Sequence, residues 1–264
     1  MLLEVENLVK SYGGRTVVDH VSYQVDAQEI VGLLGPNGAG KTTSFRMTVG
    51  MITPENGRVR FGGEDITSLP MYKRARRGIG YLSQEPSVFQ RLTVEQNLMA
   101  ICETMRLTRT ERQRMVESLL DQFGLTKVRR NPARRISGGE RRKLEIARAL
   151  ITSPKLILLD EPFSGVDPIA VEDLRKELYR LQEHGIALLL TDHNVHETLK
   201  VTDRSYVIHE GRVICSGTPV DLINDPRVRE VYLGNTFRGD EFGPRDAAAA
   251  SRETPQSPAS TNAK

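Results

Sequence analysis

Cysteine is nearly missing from this chain: only Cys102 and Cys215 occur, far apart and without metal-ligand spacing. That excludes a disulfide framework and a thiolate metal centre, and it fits buried free thiols in a reducing compartment. Long apolar runs are missing too. No stretch approaches the roughly 20 residues that cross a bilayer as a helix, so any membrane role is expected to come through a partner. The opening residues, Met1 to Glu6, carry an early acid and lack a basic region followed by a continuous apolar core. A secretory signal is therefore not expected, and a cytoplasmic protein is. A strong charge of one sign is also absent, the formal net charge being +3, so no nucleic acid is implied as a partner. Two local basic clusters, Lys73-Arg74-Ala75-Arg76-Arg77 and Arg134-Arg135, read as solvated faces or as a face kept near anionic lipid headgroups.

What is present is organised around Gly35-Pro36-Asn37-Gly38-Ala39-Gly40-Lys41-Thr42, which fits the phosphate-loop pattern G-x-x-x-x-G-K-[ST]. Upstream, Glu29 to Leu34 reads as a buried strand. Downstream, Lys41 to Val49 reads as a helix stopped by Gly50. A glycine loop between them aims backbone N–H groups and a helix N-terminus at an anion, here a nucleotide triphosphate. Lys41 would reach the β- and γ-phosphates, the Thr42 hydroxyl would ligate Mg²⁺, and Thr43, Ser44 and the loop amides would complete the cradle.

A chain of 264 residues can bury a sizeable core. Leu2 to Leu8 and Val17 to Val25 alternate apolar and polar residues around a turn at Tyr12-Gly13-Gly14, which predicts antiparallel strands. Tyr12 can stack on adenine, a contact worth about 1–3 kcal/mol by analogy with base–aromatic stacking, or it can be a half-buried strand-end residue. Gly57 to Asp65 predicts a strand and tight turn. Ile79 to Leu82 predicts a strand ending at Ser83-Gln84, where the glutamine amide can touch Mg²⁺ or the attacking water, or be an ordinary loop residue.

From here the periodicity becomes helical. Thr93-x-x-Gln96 and Thr110-x-x-Gln113 read as capping boxes of two amphipathic helices, and residues 86 to 150 as a helical subdomain. It closes at Ser137-Gly138-Gly139-Glu140. Ser137 and Glu140 form a capping box, but two glycines in a first helical turn cost about 1 kcal/mol each against alanine. Bare backbone there would let a phosphate come close.

Leu156 to Leu159 is an apolar run of the kind a central parallel strand needs, ending in Asp160-Glu161. Asp160 would hold Mg²⁺ through water, and Glu161 would orient or deprotonate the attacking water. Asp167 and Pro168 suit the cap and first position of the next helix. A further strand, Ile186 to Leu190, delivers Thr191-Asp192-His193 to the edge where α/β sheets place ligands, which directs His193 to the γ-phosphate. A hairpin through Glu210-Gly211 and short helices opened by Thr218-Pro219 and Asp225-Pro226 follow. The segment 243–264, rich in Ala, Ser, Pro and Thr, is expected to be disordered.

Tyr12, the phosphate loop, Gln84, Ser137-Gly138-Gly139-Glu140, Asp160-Glu161, Asp167 and His193 occur in the order of an ABC-transporter ATP-binding subunit, and residues 1–242 resemble that family. The serine-glycine-glycine signature is its most specific part. The chain departs from the commonest signature at Ile136 and Glu140. The resemblance implies an α/β fold: a P-loop NTPase core with a mostly parallel sheet, an N-terminal antiparallel β subdomain and an inserted helical signature subdomain. It implies ATP and Mg²⁺ as cofactors, with Tyr12, residues 35–43, the Ser137–Glu140 signature and Asp167 at the nucleotide and Glu161, His193 and Gln84 in catalysis. It also implies a head-to-tail homodimer that sandwiches ATP, with each signature serving the other chain's nucleotide. Integral membrane subunits would dock near Gln84 to Phe89, with the protein peripheral on the inner face of the cytoplasmic membrane. Finer stretches, among them Tyr81-Leu82-Ser83-Gln84-Glu85, Phe163 to Val171 and Val231-Tyr232-Leu233-Gly234, look like ATPases of lipopolysaccharide export. Branched-chain amino-acid importer ATPases resemble the chain nearly as well in places. A soluble ABC ATPase of DNA repair, chromosome organisation or translation is a third reading, although the long insertions or second ATPase domain typical of those proteins are absent.

Overall fold

A computed structural model describes residues 1–234 and Phe237; the expected tail, 243–264, lies outside the described residues. In chain order the elements are β1 (Leu3–Tyr12), β2 (Arg15–Val25), β3 (Ile30–Leu34), α1 (Lys41–Val49), β4 (Asn56–Phe61), β5 (Glu64–Asp65), α2 (Met71–Ala75) and β6 (Ile79–Leu82). Three helices follow, α3 (Val94–Cys102), α4 (Arg109–Gln122) and α5 (Gly138–Leu150). Strand and helix then alternate through β7 (Leu156–Asp160), α6 (Pro168–Glu183), β8 (Ala187–Thr191), α7 (Val195–Val201) and β9 (Arg204–His209), and β10 (Arg212–Gly217) follows directly before the short α8 (Pro219–Asn224) and α9 (Pro226–Val228).

Two sheets result. The antiparallel one runs β2-β1-β4-β5, and the larger one runs β10-β9-β3-β8-β7-β6. In the larger sheet β9, β3, β8, β7 and β6 are parallel neighbours, and β10 closes the far side as an antiparallel hairpin with β9. Five-residue strands buried on both faces, such as Leu156–Asp160, carry near-continuous apolar sequence because helices or a second sheet cover each side. The two-residue period of the strand divides each between two cores. Ile157, Leu159, Leu188 and Leu190 face the helices α3 to α6, whereas Leu156, Leu158, Ala187 and Leu189 face α1 and the antiparallel sheet. Each fully buried leucine contributes about 1.5–3 kcal/mol relative to an exposed one. The fold class expected from the sequence is thus the one observed.

The described residues correct the sequence reading at three places. The α4 helix begins two residues earlier than expected: Thr108 is its cap, receiving Glu111 N–H, while Glu111 Oε2 accepts both Thr108 N–H and its hydroxyl at 2.7 Å. A carboxylate in the first turn complements the helix dipole better than the neutral Gln113 of the expected Thr110 box. Cys215 is half-buried rather than buried. Within the basic run 73–77, Arg74 turns inward to 1% exposure and donates to four backbone carbonyls, of Met47, Thr48, Thr67 and Leu69. Its guanidinium closes the C-terminal end of α1 against the loop after β5, and burial lowers its pKa to about 10.

Candidate active site

Four parallel strands end on one edge of the large sheet, and the chain places a polar segment after each. β3 leads into Gly35 to Gly40, β6 into Ser83-Gln84, β7 into Glu161 after its terminal Asp160, and β8 into Asp192-His193. Residues scattered from 35 to 193 are assembled by that shared direction alone.

The loop after β3 takes its shape from glycine. Gly35, Gly38 and Gly40 have φ of 142°, 79° and 101°, and a Cβ on Gly35 or Gly40 would stand 1.9 or 2.6 Å from the carbonyl oxygens of Ile208 or Val17. Gly40 is the cap residue of α1, and no side chain caps that N-terminus. The Lys41 ammonium turns back into the loop and donates to the carbonyls of Gly35 at 2.6 Å and Pro36 at 2.9 Å. Burial lowers its pKa, and the Glu161 charge partly opposes that shift. Asn37, Gly38 and Ala39 line a cleft of about 590 Å³ together with Arg15, Thr16 and Val17 of β2 and His209 to Gly211.

Glu161 is the centre of a second cluster, in a separate cleft that it lines with Gln84. It holds φ at 49°, uncommon for a residue with a side chain, with its N–H donating to the Thr191 carbonyl at 2.7 Å. Its Oε2 accepts from the Gln84 amide at 2.7 Å and lies 3.3 Å from His193 Nδ1, which donates to it when that nitrogen carries the proton. Asp160 is 4% exposed, and burial raises its pKa while the Tyr81 hydroxyl, donating at 3.3 Å, works against that rise. Tyr81 in turn is pushed up to about 12, chiefly by burial.

Asp192 supplies a fastening that the sequence reading named without assigning it a role. At 0% exposure, its Oδ2 accepts Phe163 N–H and its Oδ1 accepts Asn194 N–H, both at 2.8 Å. One carboxylate thereby ties the loop that carries Glu161 to the loop that carries His193. The available signal was an Asp two residues before an Asn cap, a spacing that favours an Asx turn. Arg142 and Glu145 were missed as well. They form a 2.9 Å ion pair on α5 and hold Ser83 O and Ser87 N–H on either side of Gln84.

The remaining expected residues lie outside this hydrogen-bonded cluster. Ser137 caps α5, accepting Glu140 N–H at 3.2 Å and donating its hydroxyl to Glu140 Oε2 at 3.0 Å. Gly138 reaches the Gln84 and Glu161 region through a cleft of about 140 Å³, and Gly139 packs on Ala170, beside the α6 cap Asp167. Tyr12 stands at the tip of the β1–β2 hairpin, 49% exposed, with the Lys10 ammonium 5.6 Å from its ring centre.

A glycine phosphate loop facing a strand-end Asp-Glu pair, with a capped Ser-Gly-Gly helix inserted between them in sequence, defines an ABC-type ATP-binding subunit. The ABC transporter family profile matches residues 18–164, and the chain belongs to that family. A second profile, for branched-chain amino acid ATP-binding cassette transporters, matches residues 212–238. Within the family the likeness is to the LptB type. The chain is 52% identical over 238 residues to the lipopolysaccharide export system ATP-binding protein LptB of Haemophilus influenzae, covering 90% of this chain and 99% of that protein. It is 49% identical over 237 residues to the LptB of Escherichia coli K12, covering 89% and 98%. Among solved structures, an ATP-binding cassette of an ABC transporter in its ADP conformation superposes with a TM-score of 0.79 at 31% identity, over 88% of this chain and 98% of that one.

Proposed function

We propose that this chain is the cytoplasmic ATPase subunit of an ABC transporter that exports lipopolysaccharide, peripheral on the inner face of the cytoplasmic membrane. The observation that carries the reading is the 52% identity to a lipopolysaccharide-export ATP-binding protein over nine-tenths of the chain, joined to the Gln84–Glu161–His193 cluster. The C-terminal profile match favours a second reading, an importer ATPase for branched-chain amino acids, but it touches only the last hairpin and the segment after it.

In the proposed mechanism the loop 35–43 and Lys41 bind the triphosphate, the ammonium exchanging the Gly35 and Pro36 carbonyls for phosphate oxygens. Tyr12 stacks on the base. Glu161 accepts a proton from the attacking water. Gln84 and His193 occupy its Oε2, and among the described residues no hydrogen bond ties Oε1, which is the oxygen left for that water. The donor set fits Mg²⁺: Asp160 is a buried carboxylate, and among the described residues no group of three or more His, Cys, Asp or Glu could hold a metal without the nucleotide. Asp160, the Thr42 hydroxyl and the Gln84 amide would hold the ion with phosphate oxygens, and its charge would offset theirs.

Two chains then close head to tail, each Ser137-Gly138-Gly139-Glu140 corner and Asp167 meeting the other chain's ATP. The helical subdomain, residues 86–150, and the loop from Gln84 to Phe89 pass that closure to membrane subunits. Phe89, a residue 47% exposed, is the proposed anchor for them. The test is to identify the integral membrane proteins that co-purify with the tagged chain. Exporter subunits carrying bound lipopolysaccharide are expected; amino-acid permeases, or no integral membrane protein, would overturn the reading.

A further inference from the structure

Asn97 lies in α3 with its side chain fully buried, and its amide is spent on the loop that presents Phe89. Oδ1 accepts the Phe89 N–H at 2.8 Å, and Nδ2 donates to the carbonyls of Phe89 at 3.0 Å, Thr93 at 3.0 Å and Leu92 at 3.4 Å. Both backbone groups of Phe89 are thus held by one side chain. The helix does not need this residue for its own cap, because Thr93 and Gln96 already form a complete capping box. Nor does the core ask for a polar group, since Val94, Leu98 and Cys102 around it are fully buried and apolar. Asparagine is also one of the weaker helix formers. Its placement answers the loop.

The rest of that loop is fixed as well. The Leu92 N–H closes a turn on the Phe89 carbonyl at 3.1 Å, while Arg134 N–H and Ala133 N–H donate to Gln90 and Leu92. From α5, Arg148 donates to Ser87 O at 2.6 Å and lays its guanidinium 4.8 Å from the Phe89 ring centre. Backbone and one ring face are therefore held from inside, and the residue is nonetheless 47% exposed. An exposed aromatic on a rigid loop loses little conformational freedom on docking, which is where much of the affinity of an anchor arises.

We propose that Asn97 is a positioning residue for docking: it pre-forms the Phe89 loop so that the ring meets a pocket of the membrane subunits, while touching neither partner nor nucleotide. This rests on the reading of Phe89 as the anchor. Asn97→Asp keeps the shape and an acceptor for the Phe89 N–H but turns an oxygen toward three carbonyls; Asn97→Ala removes all four bonds.

The experiment uses the full chain with its membrane subunits in detergent, with Phe89→Ala alongside. Both Asn97 variants are expected to weaken association about tenfold, while ATP affinity and basal turnover of the free subunit stay within twofold. Hydrogen exchange of the Phe89 amide, measured well below the melting temperature, is expected to rise in both. Wild-type free subunit provides the control that needs no variant: its Phe89 amide is expected to be protected although the residue is exposed, and fast exchange there would overturn the proposal. Unchanged association in the Asn97 variants, with Phe89→Ala impaired, would overturn it while leaving the anchor intact. Equal loss of ATP binding and association would reduce Asn97 to a folding role. Normal association of Phe89→Ala would instead remove the anchor reading on which the proposal stands.

Discussion

Two helices of this chain, α1 and α5, carry glycine at their N-terminal ends, and the difference between them separates what the chain completes alone from what it offers outward. At α1 the glycines are demanded from within: Gly40 takes φ of 101°, and a Cβ there would meet the Val17 carbonyl at 2.6 Å. No side chain caps that N-terminus, which leaves its amides for the phosphates of the same chain's ATP in the proposed mechanism. At α5 the cap is already made by Ser137 and Glu140. Gly138 has ordinary helical geometry, and a Cβ on it would meet nothing within 4 Å. Neither backbone conformation nor packing inside this chain explains a bare Gly138. A glycine that its own chain does not require is what a surface approached from outside calls for, in keeping with the proposed two-chain nucleotide site.

The predictions press on that contrast. Largest is Glu161→Gln, expected to cut hydrolysis at least about 100-fold, the low end of general acid–base contributions, while ATP still binds. A steady-state phosphate-release assay decides it, and near-normal turnover would break the account of the Glu161 cluster. Next is Lys41→Ala, which removes the charge partner of the phosphates. Charge-assisted hydrogen bonds are worth about 1.5–3 kcal/mol, so ATP affinity of the single chain should fall roughly 10- to 100-fold, as read by equilibrium binding of a fluorescent ATP analogue.

Smaller effects come from the glycines themselves. Gly40→Ala should lower stability by about 1–3 kcal/mol, since it forces a side chain into left-handed backbone against a carbonyl. Gly138→Ala should be neutral or stabilise the isolated chain by up to about 1 kcal/mol, because alanine is the better helix former, and should still lower ATPase activity where two chains meet. Denaturant melts of both variants beside turnover measure the contrast. Loss of stability in Gly138→Ala would mean that its bareness is an internal requirement after all.

Much of this was legible in the sequence, for identifiable reasons. The strand, glycine loop and helix at 29–49 are local, and so are the apolar run ending in Asp160-Glu161 and the caps at Thr93, Ser137 and Asp167, all of which the structure contains. Most of what escaped depends on contacts distant in sequence. Arg74 turns inward toward the α1 end, where its acceptors Met47 and Thr48 lie 27 and 26 residues away in sequence. Asp192 looks like a spacer beside His193 until Phe163 is brought within 2.8 Å of it. The α4 start was misplaced because Thr110-x-x-Gln113 matches the box pattern, whereas the cap that forms is closed by the carboxylate of Glu111 on Thr108.

The central claim is that the Ser137 corner serves the other chain's nucleotide. It is tested most directly by placing Ser137→Arg in the Glu161→Gln background and measuring, on the same sample, ATP affinity of the monomer and ATP-induced dimer mass by light scattering. The account predicts monomer affinity within about threefold of the parent, a range too small to signal loss of a charge-assisted phosphate contact, together with complete loss of the ATP-induced dimer. Loss of monomer ATP binding as deep as that of Lys41→Ala, or a dimer that still forms, would contradict it.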